Sequence, residues 1–131
     1  MIAVLVDYNI EGQAALLWST LHADGWLDVV PMRLVRFTDV KLSPKSTDRA
    51  IWEFAQTHFM LLLTANRNQE DEDSLEQTIR DANTATSMPV ITISTADRII
   101  ESAYRGRCAE RLAEIVVYLD DYLGSGRLYI P

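Results

Sequence analysis

Two hydrophobic patterns alternate along the chain. Short continuous apolar runs are typical of strands covered on both faces of a sheet, and apolar residues every three or four positions are typical of helices that bury one face. The runs predict strands at Ile2–Val6, Leu27–Val30, Met32–Phe37, Phe59–Thr64, Val90–Ser94 and Leu128–Ile130. The spacing predicts helices from about Glu11 to Ala23, from Ser46 or Thr47 to about His58, from about Ser74 to Ala85, and from Ala96, capped by Thr95, to Leu123 with a break at Gly106.

This alternation predicts the fold class. Strands that alternate with helices form right-handed crossovers and a mostly parallel sheet with helices on both faces. We therefore expect an α/β fold, a three-layer α/β/α sandwich with a mostly parallel central sheet. The 131 residues suffice for one compact domain, residues 1–131, and we find no repeat or linker in them.

Composition limits the function classes. The chain has 12 Lys and Arg against 19 Asp and Glu, a formal net charge of −7. This acidic balance argues against a protein that coats duplex nucleic acid by charge, because that mode needs a basic face. It does not argue against a nuclease, whose carboxylates are neutralised by metal ions.

The cysteine count and the apolar runs indicate the compartment. Cys108, the single cysteine, excludes an internal disulfide framework and a cysteine-rich zinc site. The N-terminus lacks the basic region of a signal sequence, and the longest apolar runs fall far short of the roughly 20 residues that span a bilayer. We expect a cytoplasmic protein with no membrane partner.

Polar residues follow several predicted strands. In an open parallel sheet, ligands bind beyond the carboxyl ends of the strands. The candidates for this edge are Asp7 and Asn9 after the first strand, Asn66, Arg67 and Asn68 after the strand that ends at Thr64, Asp97 and Arg98 after the strand that begins at Val90, and Asp48 at a helix start. Asp7, Asp48 and Asp97 would supply the hard oxygen ligands of a divalent cation.

Simpler interpretations of the same residues stay open. Asp7 could begin a turn, and Asp48 and Asp97 could interact only with helix N-termini. The arginines could contact phosphate or pair with the acidic excess. Glycine-rich phosphate loops and a G-x-S-x-G nucleophile turn are both absent from the sequence, which weakens nucleotide-cofactor and serine-hydrolase interpretations.

The order VLVDYN, a later helix-start Asp48, and LLLTANRN resembles the small PIN-like domains of prokaryotes, some of them toxin-like and related to toxin–antitoxin systems. The resemblance implies a three-layer fold and an acidic cluster that binds Mg²⁺ or Mn²⁺ to cut single-stranded RNA. It matches Asp7 and Asp48 to two of the acids. It places the family's Thr-x-Asp-x-Asp turn at Thr64–Asn68, where Asn66 and Asn68 replace both acids.

Two hypotheses follow, and a third is weaker. The first is a metal-dependent ribonuclease in which Asp7, Asp48 and Asp97 hold the cation and Asn9, Asn66, Arg67, Asn68 and Arg98 contact the substrate. The second is a non-catalytic interaction module with a protein partner or a homodimer interface on the last long helix at Tyr104, Tyr118 and Tyr122. The third is a receiver-like phosphoacceptor, which would require an aspartate where the third central strand ends in Thr64.

Overall fold

A computed structural model of the chain describes residues 1–66 and 74–131. The strands are β1 (Ile2–Val6), β2 (Met32–Val35), β3 (Leu61–Thr64), β4 (Val90–Ile93) and β5 (Arg127–Ile130). The α-helices are α1 (Glu11–Ala23), α2 (Trp26–Val29), α3 (Asp48–Thr57), α4 (Leu75–Ala82), α5 (Ser102–Val117) and α6 (Leu119–Tyr122). Short 3₁₀ helices span Tyr8–Ile10, Phe37–Val40 and Ala96–Ile100.

The five strands form one parallel sheet in the order β2-β1-β3-β4-β5. β1 pairs with β3 through Val4 and Leu61 and with β2 through Val4 and Leu34. The chain therefore moves outward to β2 on one side of β1 and to β3, β4 and β5 on the other. In a sheet of this order the connections from β1 and from β3 lead to opposite sides of the sheet. Such a switch point opens a ligand crevice beyond the carboxyl ends of β1 and β3.

Helices cover both faces of the sheet, which confirms the predicted three-layer α/β/α fold. Alternate β1 side chains point to opposite faces: Val4 and Val6 join the core beneath α1 and α5, and Ala3 and Leu5 join the core beneath α3 and α4. All four are buried. Burial on both sides explains why the strands are continuous apolar runs.

The predicted strand at Leu27–Val30 is wrong, because this segment belongs to the short helix α2. Gly25 precedes it with φ of +81°, a left-handed conformation that turns the chain sharply after α1. Leu27 is partly buried against the core beneath α1 and α5.

The predicted helix from Ala96 to Leu123 is divided. A 3₁₀ helix at Ala96–Ile100 comes first, Glu101 is extended, and α5 then runs through Gly106 without the predicted break. The Thr95 side chain makes no capping hydrogen bond. Its backbone N–H donates to the hydroxyl of Tyr104, which is buried. This contact folds the segment after β4 back against α5.

Within the described parts of the chain, the helices are too short or too polar to cross a bilayer.

Candidate functional site at the ends of β1 and β3

An open cavity of about 490 Å³ lies beyond the carboxyl ends of β1 and β3. It is therefore at the crevice that the strand order predicts. Both Asp7 and Asp48 line this cavity. Asp7 directly follows β1, whereas Asp48 is the first residue of α3, which comes after β2 in the sequence. The other lining residues are Asn9, Ile10, Phe37, Pro44, Ser46, Ile51, Ala65 and Asn66.

Asp7 is held at the end of β1 by both its backbone and its side chain. Its N–H donates to the carbonyl of Leu63 over 2.9 Å, which extends the pairing with β3 by one residue. The Thr64 hydroxyl donates to Asp7 Oδ2 over 2.8 Å, and the Asn9 N–H donates to Oδ1 over 3.3 Å. Asp7 thus caps the 3₁₀ helix at Tyr8–Ile10, as the turn interpretation expects, and also presents its carboxylate to the cavity.

Asp48 has more than the helix N-terminus around it. Thr47 caps α3, because its hydroxyl accepts from the Ala50 N–H over 3.1 Å. Asp48 Oδ2 accepts from Asn66 Nδ2 over 2.8 Å and from the Leu75 N–H over 3.1 Å. These donors come from the turn after β3 and from the start of α4. Contacts from distant segments fix the carboxylate, so the helix dipole is only part of its environment.

Thr64 and Asn66 connect the two carboxylates. The Asn66 N–H donates to the Thr64 hydroxyl over 2.9 Å, and that hydroxyl donates to Asp7. The Asn66 side chain completes the connection to Asp48. All these donors are neutral, and none of the lysines or arginines described forms an ion pair with either aspartate. Two neighbouring carboxylates repel each other, and a bound cation would relieve that repulsion.

The donor set suits a hard divalent cation. Mg²⁺ is usually bound by one or two carboxylates together with waters and substrate phosphates, rather than by a cage of protein ligands. Asp7 and Asp48 supply two carboxylates, and Asn9, Ser46 and Asn66 are further residues with oxygen atoms that line the same cavity. Across residues 1–66 and 74–131, no group of three His, Cys, Asp or Glu side chains is placed to share a metal ion.

The predicted three-aspartate set is corrected at Asp97, which the structure does not bring to this cavity. Asp97 lines a separate depression with Gly12, Gln13 and Leu16 of α1. After β4 the chain turns toward the face covered by α1 and α5, whereas α3 carries Asp48 on the other face. The position of a residue after a strand does not reveal which face the chain takes.

Arg98, a predicted substrate contact, pairs with a neighbouring acid. Its guanidinium lies 3.1 Å from Glu101 and over the ring of Tyr104, 4.5 Å from the centroid. The hydrogen bond from Arg98 lowers the pKa of Glu101. Asn9 and Asn66 line the cavity, and their contact with a substrate stays a prediction. The other two predicted contacts, Arg67 and Asn68, lie outside the described residues.

Sequence analysis did not single out Arg127, which anchors the turn after β3. Its side chain is 7% exposed and crosses from β5 to donate to the Asn66 carbonyl over 2.7 Å. It also donates to the Thr92 hydroxyl over 2.6 Å and to Glu76 over 3.2 Å. A charged residue at the head of an apolar strand, directly after Gly126, is the only signal that could have drawn attention to it.

The strand order is one that receiver domains also adopt, but the site does not suit a phosphoacceptor. β3 ends in Thr64, whose hydroxyl donates to Asp7 and accepts from Asn66. That hydroxyl is engaged on both sides, and Thr64 is 1% exposed. The structure thus gives this hypothesis no further support.

Comparisons with known protein-family models, with curated protein sequences and with solved structures gave no match. The PIN-like resemblance therefore remains a prediction that rests on the residues around Asp7, Asp48 and Thr64.

Proposed function

We propose that this protein is a divalent-metal-dependent ribonuclease of the PIN-like type that acts on single-stranded RNA. One observation carries the proposal. Asp7 and Asp48 come from distant parts of the chain, share one open cavity at the end of β1 and β3, and have only neutral hydrogen-bond donors among the described residues.

The polar residues in and next to the cavity have defined parts in this proposal. Asp7 and Asp48 would hold Mg²⁺ or Mn²⁺, and a cation bound there supplies Lewis acidity toward a scissile phosphate. Thr64 and Asn66 hold the two carboxylates in position through hydrogen bonds. The Asn9 amide and the Ser46 hydroxyl are placed on the cavity wall, where they can hydrogen-bond to phosphate or ribose oxygens.

The asparagine at position 66 predicts a weak enzyme. A carboxylate there would add negative charge for a cation, whereas an amide offers an uncharged oxygen. In this protein the Asn66 amide donates to Asp48 instead. We therefore expect a two-carboxylate site with lower cation affinity than a site with three or four acids, and activity that depends on a high concentration of Mn²⁺ or Mg²⁺.

A second candidate function is a non-catalytic interaction module. An exposed apolar area at the end of α5 favours it: Val117 and Tyr118 are more than half exposed, and they line a depression with Trp26, Glu110 and Glu114. Exposed apolar areas often mark partner sites. Tyr104, however, is buried and cannot belong to such an interface.

Cleavage of an end-labelled single-stranded RNA in Mn²⁺ tests the first function. We expect products with the wild-type protein, none with EDTA, and a loss of at least 100-fold in rate for Asp7→Asn and for Asp48→Asn. Asp97→Asn is the matched control, because it removes the same charge from the other face of the sheet. Equal loss in all three variants, or cleavage that survives Asp48→Asn, would contradict the proposed site.

Sedimentation of the same protein separates the second function. An interaction module predicts a dimer that Tyr118→Glu dissociates and no cleavage in any metal. A monomer that cleaves RNA supports the first function alone.

A further inference from the structure

The segment from residue 33 to residue 49, part of which lines the cavity, is richer in basic residues than the rest of this acidic chain. Between positions 33 and 49 there are five of the 12 Lys and Arg residues and two of the 19 Asp and Glu residues. Five positive less two negative charges make this segment +3 in a chain whose total is −7. A local excess of this sign raises the local concentration of polyanions.

The segment forms one wall of the cavity. Phe37, Pro44 and Ser46 line it beside Asp7 and Asp48. Lys45 lies between two of these lining residues, and its side chain is exposed. Lys41 is also exposed and ends the 3₁₀ helix with a left-handed φ of +60°, its N–H donating to the Phe37 carbonyl. This hydrogen bond ties the backbone of Lys41 to that of Phe37, which lines the cavity.

These two lysines have no intramolecular acid to neutralise them among the described residues. Arg36 has one: it lies 3.5 Å from Asp39, and its side chain remains 57% exposed. A hydrogen bond to the Arg36 backbone is the largest cause of the lowered pKa of Asp39. Lys41 and Lys45 are therefore exposed cations with no ion-pair partner among the described residues, and Arg36 remains largely exposed despite its pairing with Asp39.

An aromatic pair lies on the same side. Tyr8 follows Asp7 directly and is 47% exposed. Its ring centroid is 6.4 Å from that of Phe37, with the ring planes inclined by 36°. Phe37 is buried and supports the Tyr8 ring from behind. A supported, exposed aromatic ring is a suitable stacking surface for an unpaired base.

We propose that Arg36, Lys41 and Lys45 bind successive phosphates of a single-stranded polynucleotide and that Tyr8 stacks on one of its bases. The strand is thereby led to the cavity of Asp7 and Asp48. An exposed aromatic ring together with exposed cations favours a polynucleotide over an acidic peptide, which has no base to stack. The limited size of the basic wall favours a single strand over a duplex, which would also meet the acidic remainder of the surface.

The proposal extends the ribonuclease function, but its test does not depend on cleavage. Anisotropy of a short fluorescein-labelled oligouridylate is measured in EDTA, so that binding is read whether or not the protein cuts RNA. We expect Lys41→Glu/Lys45→Glu to weaken binding by at least about 10-fold and to reduce the slope of log K against log[salt] by roughly 1 or more. Tyr8→Ala should weaken binding by roughly 10-fold at any salt concentration.

Arg80→Glu/Arg107→Glu is the matched control. It changes the net charge equally at two exposed positions, in α4 and α5, that do not line the cavity. We expect it to weaken binding less than 2-fold. Lys41→Gln/Lys45→Gln is a milder pair in case reversed charges disturb the turn, and it should also weaken binding more than the control.

Three results would overturn the proposal. The first is absence of oligouridylate binding by the wild-type protein at low salt. The second is an equal loss in the lysine pair and the control pair, which would show only an effect of net charge. The third is displacement of the oligouridylate by polyglutamate at an equal charge concentration, which would assign this wall to an acidic protein. If binding follows the expected pattern and no metal supports cleavage, the ribonuclease function fails while this inference stands.

Discussion

The two faces of the sheet bury apolar cores of different size. The face beneath α1 and α5 buries 22 residues in one cluster, against 12 for the face beneath α3 and α4 among the residues described. The smaller face leaves the open cavity of Asp7 and Asp48 at its edge. Both clusters stabilise the fold, and the face with the smaller cluster is the one that has a candidate ligand site at its edge.

The same contrast separates two aspartates that look alike in sequence. Asp48 and Asp97 each lie in the first turn of a helix. Asp48 accepts hydrogen bonds from Asn66 and Leu75, whereas Asp97 accepts none from the described residues. The presence of partners from distant segments, rather than the helix N-terminus, distinguishes the candidate ligand.

The largest expected effect concerns Arg127, which holds the turn of the cavity face. Arg127→Met should lower the free energy of unfolding by about 3–5 kcal/mol, because it leaves buried polar partners without their cation. Urea denaturation measures the change. Arg107→Met, an exposed change on the other face, should stay within about 0.5 kcal/mol. Similar values for both variants would remove the anchoring role of Arg127.

Asn66→Asp sharpens the comparison at the cavity itself. It replaces an amide donor to Asp48 with a like charge, and we expect a loss of about 1–3 kcal/mol in metal-free buffer. Binding of Mn²⁺ to the folded state should restore stability as its concentration rises. Thermal unfolding with and without Mn²⁺ measures both effects. A variant that Mn²⁺ stabilises no more than the wild type would contradict a cation site at this turn.

The cap of α3 sets the position of Asp48. Thr47→Ala should cost about 1 kcal/mol, because it removes the acceptor for the Ala50 N–H. Ser46→Ala is the control, since Ser46 makes no capping bond to α3. Chemical denaturation of both variants distinguishes them. A larger loss of stability for Ser46→Ala than for Thr47→Ala would show that Ser46, the other candidate from the sequence, caps α3.

The last prediction concerns the thiol of Cys108, which is buried in the core beneath α1 and α5. Its titration affects stability only at alkaline pH. Burial raises the pKa of the Cys108 thiol to about 11. The folded state thus keeps a proton that the unfolded state releases near pH 9, so this stabilisation is complete below pH 9 and is lost between about pH 9 and 11. Unfolding free energies of wild type and Cys108→Ala should converge over that range. A constant difference would contradict the burial of the thiol.

Sequence patterns predicted most of the fold because the main strands are buried on both faces. Ile2–Val6 and Glu11–Ala23 match the structure residue for residue. The strand predicted at Leu27–Val30 is wrong because a short apolar run does not distinguish a strand from a turn of helix that packs on the core. The continuous helix predicted after β4 is wrong because the hydrogen bond between Thr95 and Tyr104 folds this segment back. A contact of this kind between separate elements leaves no local sequence pattern.

The candidate site was predicted in part. Strand ends and the helix start identified Asp7 and Asp48, since the topology of a parallel sheet brings such positions to one edge. The exclusion of Asp97 from the site could not be predicted, because the sequence does not show to which face of the sheet the chain turns after β4. The role of Arg127 could not be predicted either, because it depends on a hydrogen bond to the distant Asn66 carbonyl that no local sequence pattern indicates.

Anomalous scattering from crystals soaked in MnCl₂ tests the central claim most directly. A divalent-cation site predicts a manganese peak between the carboxylates of Asp7 and Asp48, and its loss in Asp48→Asn crystals. A peak at Asp97, or no peak at the Asp7 and Asp48 cavity, would contradict the account.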